Sequence, residues 1–441
     1  MNNILVLIFI IIFLNSCSFD NKTQIWTGNN QIIKKETNNE NLELVFKKKN
    51  NIIETKELSS NYILKLDKSK LYRSWSQRYQ NKFNDIGNIS FLNNGNYKKL
   101  SKISKVEINE NILLYKDNIF FSDIKGNIGI FSLSKNQKIY EFNFYKKKLK
   151  KINKIIKLIV KDDSIIAADN FGYIYSINYK KRKLNWAKNF LVPFRSNLKI
   201  INNVLFLSDE QNKIILIDLK NGKKIDEFYT SPSKTVSKFE SNLAVDKNNN
   251  LIFLSTNGSL YSLNLINQKT INWIQNFKTE NEIIFYGNPV TVSNDHIILS
   301  TKNNISLINI NGTRLWDLNI KSSLVPIISG NTIFTINEDN YLVLISKKTG
   351  KIIYSKNLNL MLRKDFKKSF QRKIKRINHI YLTNKKLLLI SNNSYFIEIG
   401  IENLNEISSI KKNPFDIKSD IIFFEKEMLF VDRSNRVYMV N

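Results

Sequence analysis

The sequence holds one cysteine and two histidines in 441 residues. That excludes a disulfide framework, zinc fingers and attached haem, and it leaves no metal site to nominate. Five prolines and 13 glycines exclude collagen-like and low-complexity chains. No apolar run reaches the length needed to span a bilayer, about 18 residues. Acidic side chains are scarce, 38 against 68 basic ones, and the net charge is +30. Such a balance is usual in proteins that meet nucleic acid or an anionic membrane. Here Lys, Asn and Ile crowd the whole chain, and the lysines read mainly as compositional drift and solubility; nucleic acid is not expected as a partner. Hydrophobic residues make up 42% and aromatics 12%, so the chain can bury a large core.

The N-terminus reads as an address. Residues 4–14 are eleven apolar positions without a charge, which suits a secretory core and is too short to cross a membrane. They lead into Leu14-Asn15-Ser16-Cys17, and Cys17 is the sole cysteine. This resembles the lipobox of bacterial lipoproteins, in which the cysteine is acylated and becomes the mature N-terminus. Each buried methylene of an acyl chain contributes about 0.8 kcal/mol, so several chains hold a domain firmly. Residues 1–16 are therefore expected to be a signal peptide and residues 17–68 a lipidated flexible tether. Ser18 after the cysteine leans towards the outer membrane, at its periplasmic face.

From about residue 107 the chain repeats itself. Each unit is an apolar strand, a polar turn, an alternating strand, a second turn and an aromatic. The first turns align on Gly126, Gly172, Asn212, Gly258, Asn303, Asn340, Ser394 and Asn435. Glycine supplies positive φ freely and asparagine tolerates it, as tight hairpins require. Six residues on lies a second polar or small position, from Ser132 and Asn178 to Asn441. The aromatics follow at Tyr140, Trp186, Phe228, Trp273, Trp316 and Tyr354, with Ile407 in the seventh copy. A strand-only repeat of this length predicts an all-β, eight-bladed β-propeller over residues 69–441. The eighth copy stops before its outer strand. An N-terminal strand around Trp75 (residues 70–77) is expected to pair there and close the ring, because an open sheet edge invites aggregation.

Gly258-Ser259-Leu260-Tyr261-Ser262-Leu263-Asn264, Asn221-Gly222-Lys223 and Thr349-Gly350-Lys351 resemble the propeller repeat of the pyrroloquinoline-quinone type. With the lipobox, the chain resembles the lipoprotein branch of that family, which serves the outer-membrane β-barrel assembly machinery. The resemblance implies a scaffold that docks on the periplasmic domains of the barrel subunit, beside other assembly lipoproteins and nascent outer-membrane proteins. In that branch an interblade linker with alternating apolar residues and an arginine contacts the partner. Carried onto Leu191-Val192-Pro193-Phe194-Arg195, it makes Val192 and Phe194 apolar anchors and Arg195 a charged hydrogen bonder, with Glu240 the nearest match to an acidic contact.

Quinone-dependent dehydrogenases share the repeat, and a quinoprotein-like enzyme or a ligand-binding subunit stays open as the alternative. No catalytic residue, metal or cofactor is nominated. His296 and His379 have no motif around them, and the tryptophans recur at blade spacing as structural residues. The strongest charge run is residues 363–376, where Leu362, Phe366, Phe370 and Ile374 recur every four residues. It reads as a short amphipathic basic helix whose Lys367, Lys368, Arg372 and Lys373 are candidates for contact with an anionic surface.

Overall fold

The computed structural model describes residues 53–145, 149–232, 239–279, 282–365 and 376–441. Cys17 and the basic residues Lys367, Lys368, Arg372 and Lys373 lie outside them, and so do Phe366, Phe370 and Ile374. Of the expected amphipathic helix, a first part is present: α1, Leu358–Asp365, which follows blade 6 directly and buries Leu358, Met361 and Leu362.

Eight antiparallel blades of four strands follow one another, as expected, and one of them gains a fifth, parallel strand. Blades 1 to 7 span residues 113–143, 156–189, 199–228, 242–276, 291–318, 327–357 and 377–412. Blade 8 takes three strands from residues 422–440 and its outermost strand, Tyr97–Lys102, from the N-terminal side. The inner strands are short and apolar because both of their faces are covered. The outer strands alternate with lysine because one face meets water. The core is spread through the gaps between blades. Leu205, Leu207 and Ile215 of blade 3 pack with Ile159 and Ile174 of blade 2, and the blade 3–4 and 4–5 gaps are filled the same way.

The turn chemistry explains the repeat. Seven of the eight anchors have positive φ, from 60° at Asn340 to 89° at Gly126, and Ser394 is among them at 63°. The exception is Asn303, whose loop is one residue shorter: Thr301 donates its N–H to Asn304, whereas Asp123 reaches Asn127. A second signal, unread in the sequence, stands three residues before the anchor. Asp123 Oδ1, Asp169 Oδ1, Asp209 Oδ1 and Asp432 Oδ1 each accept two backbone N–H groups of their own loop. These are Asx-turns, which hold the hairpin without help from neighbouring blades. The polar position six residues after the anchor caps the next turn in the same way, as at Asn178 Oδ1 and Asp218 Oδ1.

The aromatics latch each blade to the next. Trp186, Trp273 and Trp316 donate their indole N–H to the carbonyls of Leu219, Ile310 and Lys347 in the following blade, at 2.9, 2.7 and 3.0 Å. Gly222, Gly312 and Gly350 lie flat under those rings; a Cβ on Gly312 would stand 2.6 Å from Trp273. Tyr354 makes the equivalent bond to Leu404 O at 2.6 Å. Strand register corrects two expected members. The position opposite the fourth residue after the anchor holds Asp226 in blade 3 and Ser409 in blade 7, so Phe228 and Ile407 lie off it. Asp226 reaches the next blade through Lys269 at 2.5 Å instead.

An N-terminal strand closes the ring, but a different one from that expected. Tyr97 pairs with Val440, Lys98 with Met439 and Lys99 with Tyr438. Trp75 is a buried residue of the channel, bonded in both directions to Leu114 on the innermost strand of blade 1. The aromatic marker misled because the closing strand places Lys98, not an aromatic, opposite Met439. The expected tether is also shorter than residue 68. Lys56 pairs with Ser355 of blade 6, and Asp67 accepts from the Gly330 N–H at 2.9 Å.

Two outcomes check this architecture. Leu100 is the one fully covered side chain of the closing strand. Leu100→Ala should cost about 2–4 kcal/mol in chemical denaturation, whereas Lys99→Ala should stay within about 0.5 kcal/mol of wild type. Gly312→Ala adds both positive-φ strain and a clash, and should cost about 2 kcal/mol or more. In a Trp273→Ala background the clash is absent, and the same substitution should cost measurably less.

Candidate functional site

Antiparallel connectivity gives the propeller two unlike faces. One carries the interblade linkers and the hairpins after the second strand of each blade. The other, the turn face, carries the turns after the first and third strands. The inner strands leave a row of backbone groups unpaired towards the channel. Residues 70–91 cover the ends of these strands on the turn face. Val160, Val245 and Val292 donate their N–H groups to Ser76, Lys82 and Phe83, each within 2.9 Å. Asn88–Ile89 adds as a parallel fifth strand to blade 7. The buried Asn84 amide donates to Asn242 Oδ1, Leu243 O and Val290 O, tying the plug to blade 4 and the strand entering blade 5.

Lys199 lies wholly inside this plug. Its ammonium donates to Asn81 O at 2.8 Å and Gln77 Oε1 at 3.2 Å, and burial pushes it down to about 7. Above the plug, the channel encloses about 240 Å³ between Tyr79, Asp85, His379, Tyr381 and Asp420. His379 stacks on Tyr381, with ring centroids 6.1 Å apart, and burial holds its imidazole below the ordinary value. Among the described residues no cluster of three or more His, Cys, Asp or Glu could hold a metal.

The linker face has a charged centre. Glu240, just ahead of blade 4, receives Lys157 at 2.6 Å and Arg78 of the plug at 3.3 Å, and Arg78 Nε stands 3.5 Å from Asp420. Burial opposes ionisation of Glu240, but Lys157, Arg78 and the more distant Arg195 hold its carboxyl below the usual range. Burial, with Arg78 close by, lowers the Lys157 ammonium. These side chains join the plug to both halves of the ring.

The four residues taken from the linker pattern fall in different surroundings. Phe194 is buried, meets Phe190 edge-on at 5.8 Å and bridges Asp209. Ile108, Gly287 and Ile417 occupy the same bridging position in other blades, so Phe194 fills a repeated structural slot rather than an exposed one. Val192 is half-buried where the linker backbone passes 2.8 Å from the Cβ that Gly172 lacks. Arg195 keeps its head at the surface, 4.0 Å from Glu210. Glu240 is engaged by its own chain, as described.

The exposed apolar residue of that linker is Leu191, 83% exposed and held at φ 61°. A non-glycine residue in the left-handed region is uncommon and marks a constrained position. Exposed apolar side chains recur on consecutive linkers: Ile152 and Ile155 between blades 1 and 2, Tyr229 after blade 3, and Ile283, Ile284 and Tyr286 between blades 4 and 5. Together with Leu191 they form an arc over half of the ring. The sequence offered one clue, an apolar residue beside an arginine in a polar linker, but not which of the three apolar residues faces out.

Residues 107–356, more than half of the chain, match the sequence profile of the family described as outer membrane protein assembly factor BamB. Among solved structures, BamB from Moraxella catarrhalis superposes with a TM-score of 0.60 at 9% identity, over 77% of this chain and 99% of that one. The computationally designed Ika8 protein gives 0.57 at 10% identity over 78% and 98%, and Saccharomyces cerevisiae Sqt1 gives 0.57 at 9% over 79% and 99%. At these identities the superpositions speak for the fold alone. No curated protein sequence matches the chain.

A pH titration tests the plug. In the unfolded chain Lys199 titrates near 10.4, so between about 7 and 10 the unfolded state binds more protons than the folded one. Stability therefore rises with pH through that window, and this contribution is flat below it. Lys199→Met should raise the melting temperature at pH 7 and flatten the slope between pH 7 and 9.

Proposed function

The chain belongs to the BamB family of outer membrane protein assembly factors, and from that membership we propose a non-catalytic lipoprotein scaffold of the β-barrel assembly machinery. In this reading Cys17 carries the acyl chains and anchors the protein at the periplasmic face of the outer membrane. The propeller docks on the periplasmic domains of the barrel subunit, assisted by other assembly lipoproteins, and helps nascent outer-membrane proteins to fold and insert.

The observation that carries the reading is the arc of exposed apolar side chains on the linker face, with Leu191 at its centre. Interfaces draw their energy from a few apolar and arginine side chains surrounded by a polar rim. Leu191 and Arg195 have that character, and Phe194 and Val192 support them from beneath. The Glu240–Lys157–Arg78 cluster, at the centre of that face, ties the linker ahead of blade 4 to the plug. Scaffolding needs only this: a rigid ring that presents one surface in a fixed orientation.

Affinity purification of the acylated protein tests it. Wild type should copurify a β-barrel assembly protein. Leu191→Asp and Arg195→Glu should weaken capture at least tenfold at unchanged melting temperature. Phe194→Ala should instead lower stability by about 3–5 kcal/mol, as expected of a core aromatic. Capture that survives both surface changes would overturn the docking site.

A further inference from the structure

Several cations meet acids on both faces: on the linker face Lys157 and Arg78 meet Glu240 and Lys418 meets Glu107 at 2.9 Å, and on the turn face Lys385 meets Glu402 at 2.8 Å and Lys247 pairs with Asp295. On the turn face, the turns after the third strand of blades 1, 2 and 3 carry Lys135, then Lys181, Arg182 and Lys183, then Lys220 and Lys223. All six are exposed, and none is in an ion pair among the described residues. Arg182 lies 6.0 Å above the Tyr140 ring. Blade 6 repeats the pattern with Lys348 and Lys351.

These cations are not needed by the turns they sit on. Ser132 Oγ, Asn178 Oδ1 and Asp218 Oδ1 already accept the backbone N–H groups there. The acids nearby are partly spent: Asp163 holds Lys180 at 2.9 Å, Asp117 accepts the Ser134 N–H, and Asp162 remains exposed. The turn face of blades 1 to 3 is therefore net positive, and these six cations are outside any ion pair among the described residues.

A second observation gives the direction. The described chain first pairs with the outer strand of blade 6, Lys56 with Ser355, and then crosses this same face. Lys65 N–H donates to Asn331 Oδ1 at 3.1 Å, and the Asn331 amide donates back to Ile63 O, both at the first turn of blade 6. The N-terminal strap and the free cations thus share one face, and the exposed apolar arc lies on the other.

We propose that the turn face of blades 1 to 3 is a docking surface for an anionic lipid bilayer, engaging headgroup phosphates through Lys135, Lys181, Arg182, Lys183, Lys220 and Lys223. Lysine and arginine at an anionic surface each raise partitioning about fivefold and are screened by salt. A propeller laid on the bilayer in this way presents its linker face outward, where a protein partner can reach it. The inference takes from the lipoprotein reading only that a membrane is near; the assembly role is not required.

The test is lysine acylation of the full-length protein on vesicles, read by mass spectrometry. Vesicles of phosphatidylcholine alone are compared with vesicles that also contain phosphatidylglycerol. On the anionic vesicles at low salt, Lys181, Lys183, Lys220 and Lys223 should react several-fold more slowly. Lys302, exposed on the linker face, should react at one rate on both. High salt should abolish the protection, and inorganic phosphate added to phosphatidylcholine vesicles should not reproduce it. With Lys181, Lys183 and Lys220 replaced by Glu, the remaining Lys223 should react at one rate on both vesicles, with the melting temperature unchanged. Equal rates on both vesicles, or equal protection by free phosphate, would overturn the proposal. A chain that lacks an acyl group yet shows salt-sensitive protection sinks the anchor and keeps this inference; an acylated chain with equal rates does the reverse.

Discussion

The structure depends on ring closure. A four-stranded sheet has two apolar faces, and neither can be buried within the blade itself. Each face must meet a neighbour, so a linear stack would leave two faces open and a ring leaves none. The gaps between blades are where the hydrophobic energy is gained, as the packing of Phe206 and Leu216 against Leu243 and Phe253 illustrates. Closure brings the Tyr97–Lys102 strand onto Arg436–Val440, so the last sheet contains both ends of the fold. Core residues such as Phe430 and Val437 then share one cluster with Ile119 and Phe120 of blade 1. Everything functional, from the linker arc to the plug, is a surface of that closed ring.

The blade number and the hairpin positions were legible because they rest on backbone chemistry. A loop that requires positive φ selects Gly or Asn, and the selection leaves a periodic trace. Ser394 fits the same backbone because a small polar residue in a loop closed by its own Ser391 hydroxyl tolerates that conformation. What could not be read was pairing between distant segments. Trp75 looked like the missing outer aromatic, yet each outer tryptophan that latches a blade sits on a flat glycine of the next one. The turn of blade 1 that would receive it runs Ser132-Leu133-Ser134-Lys135-Asn136 and has no such glycine. With no seat for an aromatic there, Lys98 occupies the position at the surface.

The linker residues were half legible for a related reason. Val192, Phe194 and Arg195 stand out as apolar and charged residues in a polar setting, but composition does not state which way a linker faces. The bridge of Phe194 to Asp209 is a backbone feature shared with Ile108, Gly287 and Ile417, four residues with little chemistry in common. A slot that accepts glycine and phenylalanine alike has no sequence signature. Leu191 gains its exposure from the left-handed turn that precedes the slot, a conformation that residue identity does not announce.

One continuous segment links these features. The chain reaches the turn face over blade 6, lines the channel through residues 70–91, and only then becomes the closing strand. A pull from the N-terminal side is therefore met first at the strap, by the pairing of Lys56 with Ser355 and then by the bonds of Lys65 and Asp67 to the 329–331 turn. The plug comes next, with Arg78 held between Glu240 and Asp420. The closing strand is last in this order, shielded by two sets of contacts made with five or more blades. A ring tethered through its own fastening strand would be loaded at its weakest seam. The order in which this segment meets the blades places the load instead on contacts whose loss leaves the ring shut.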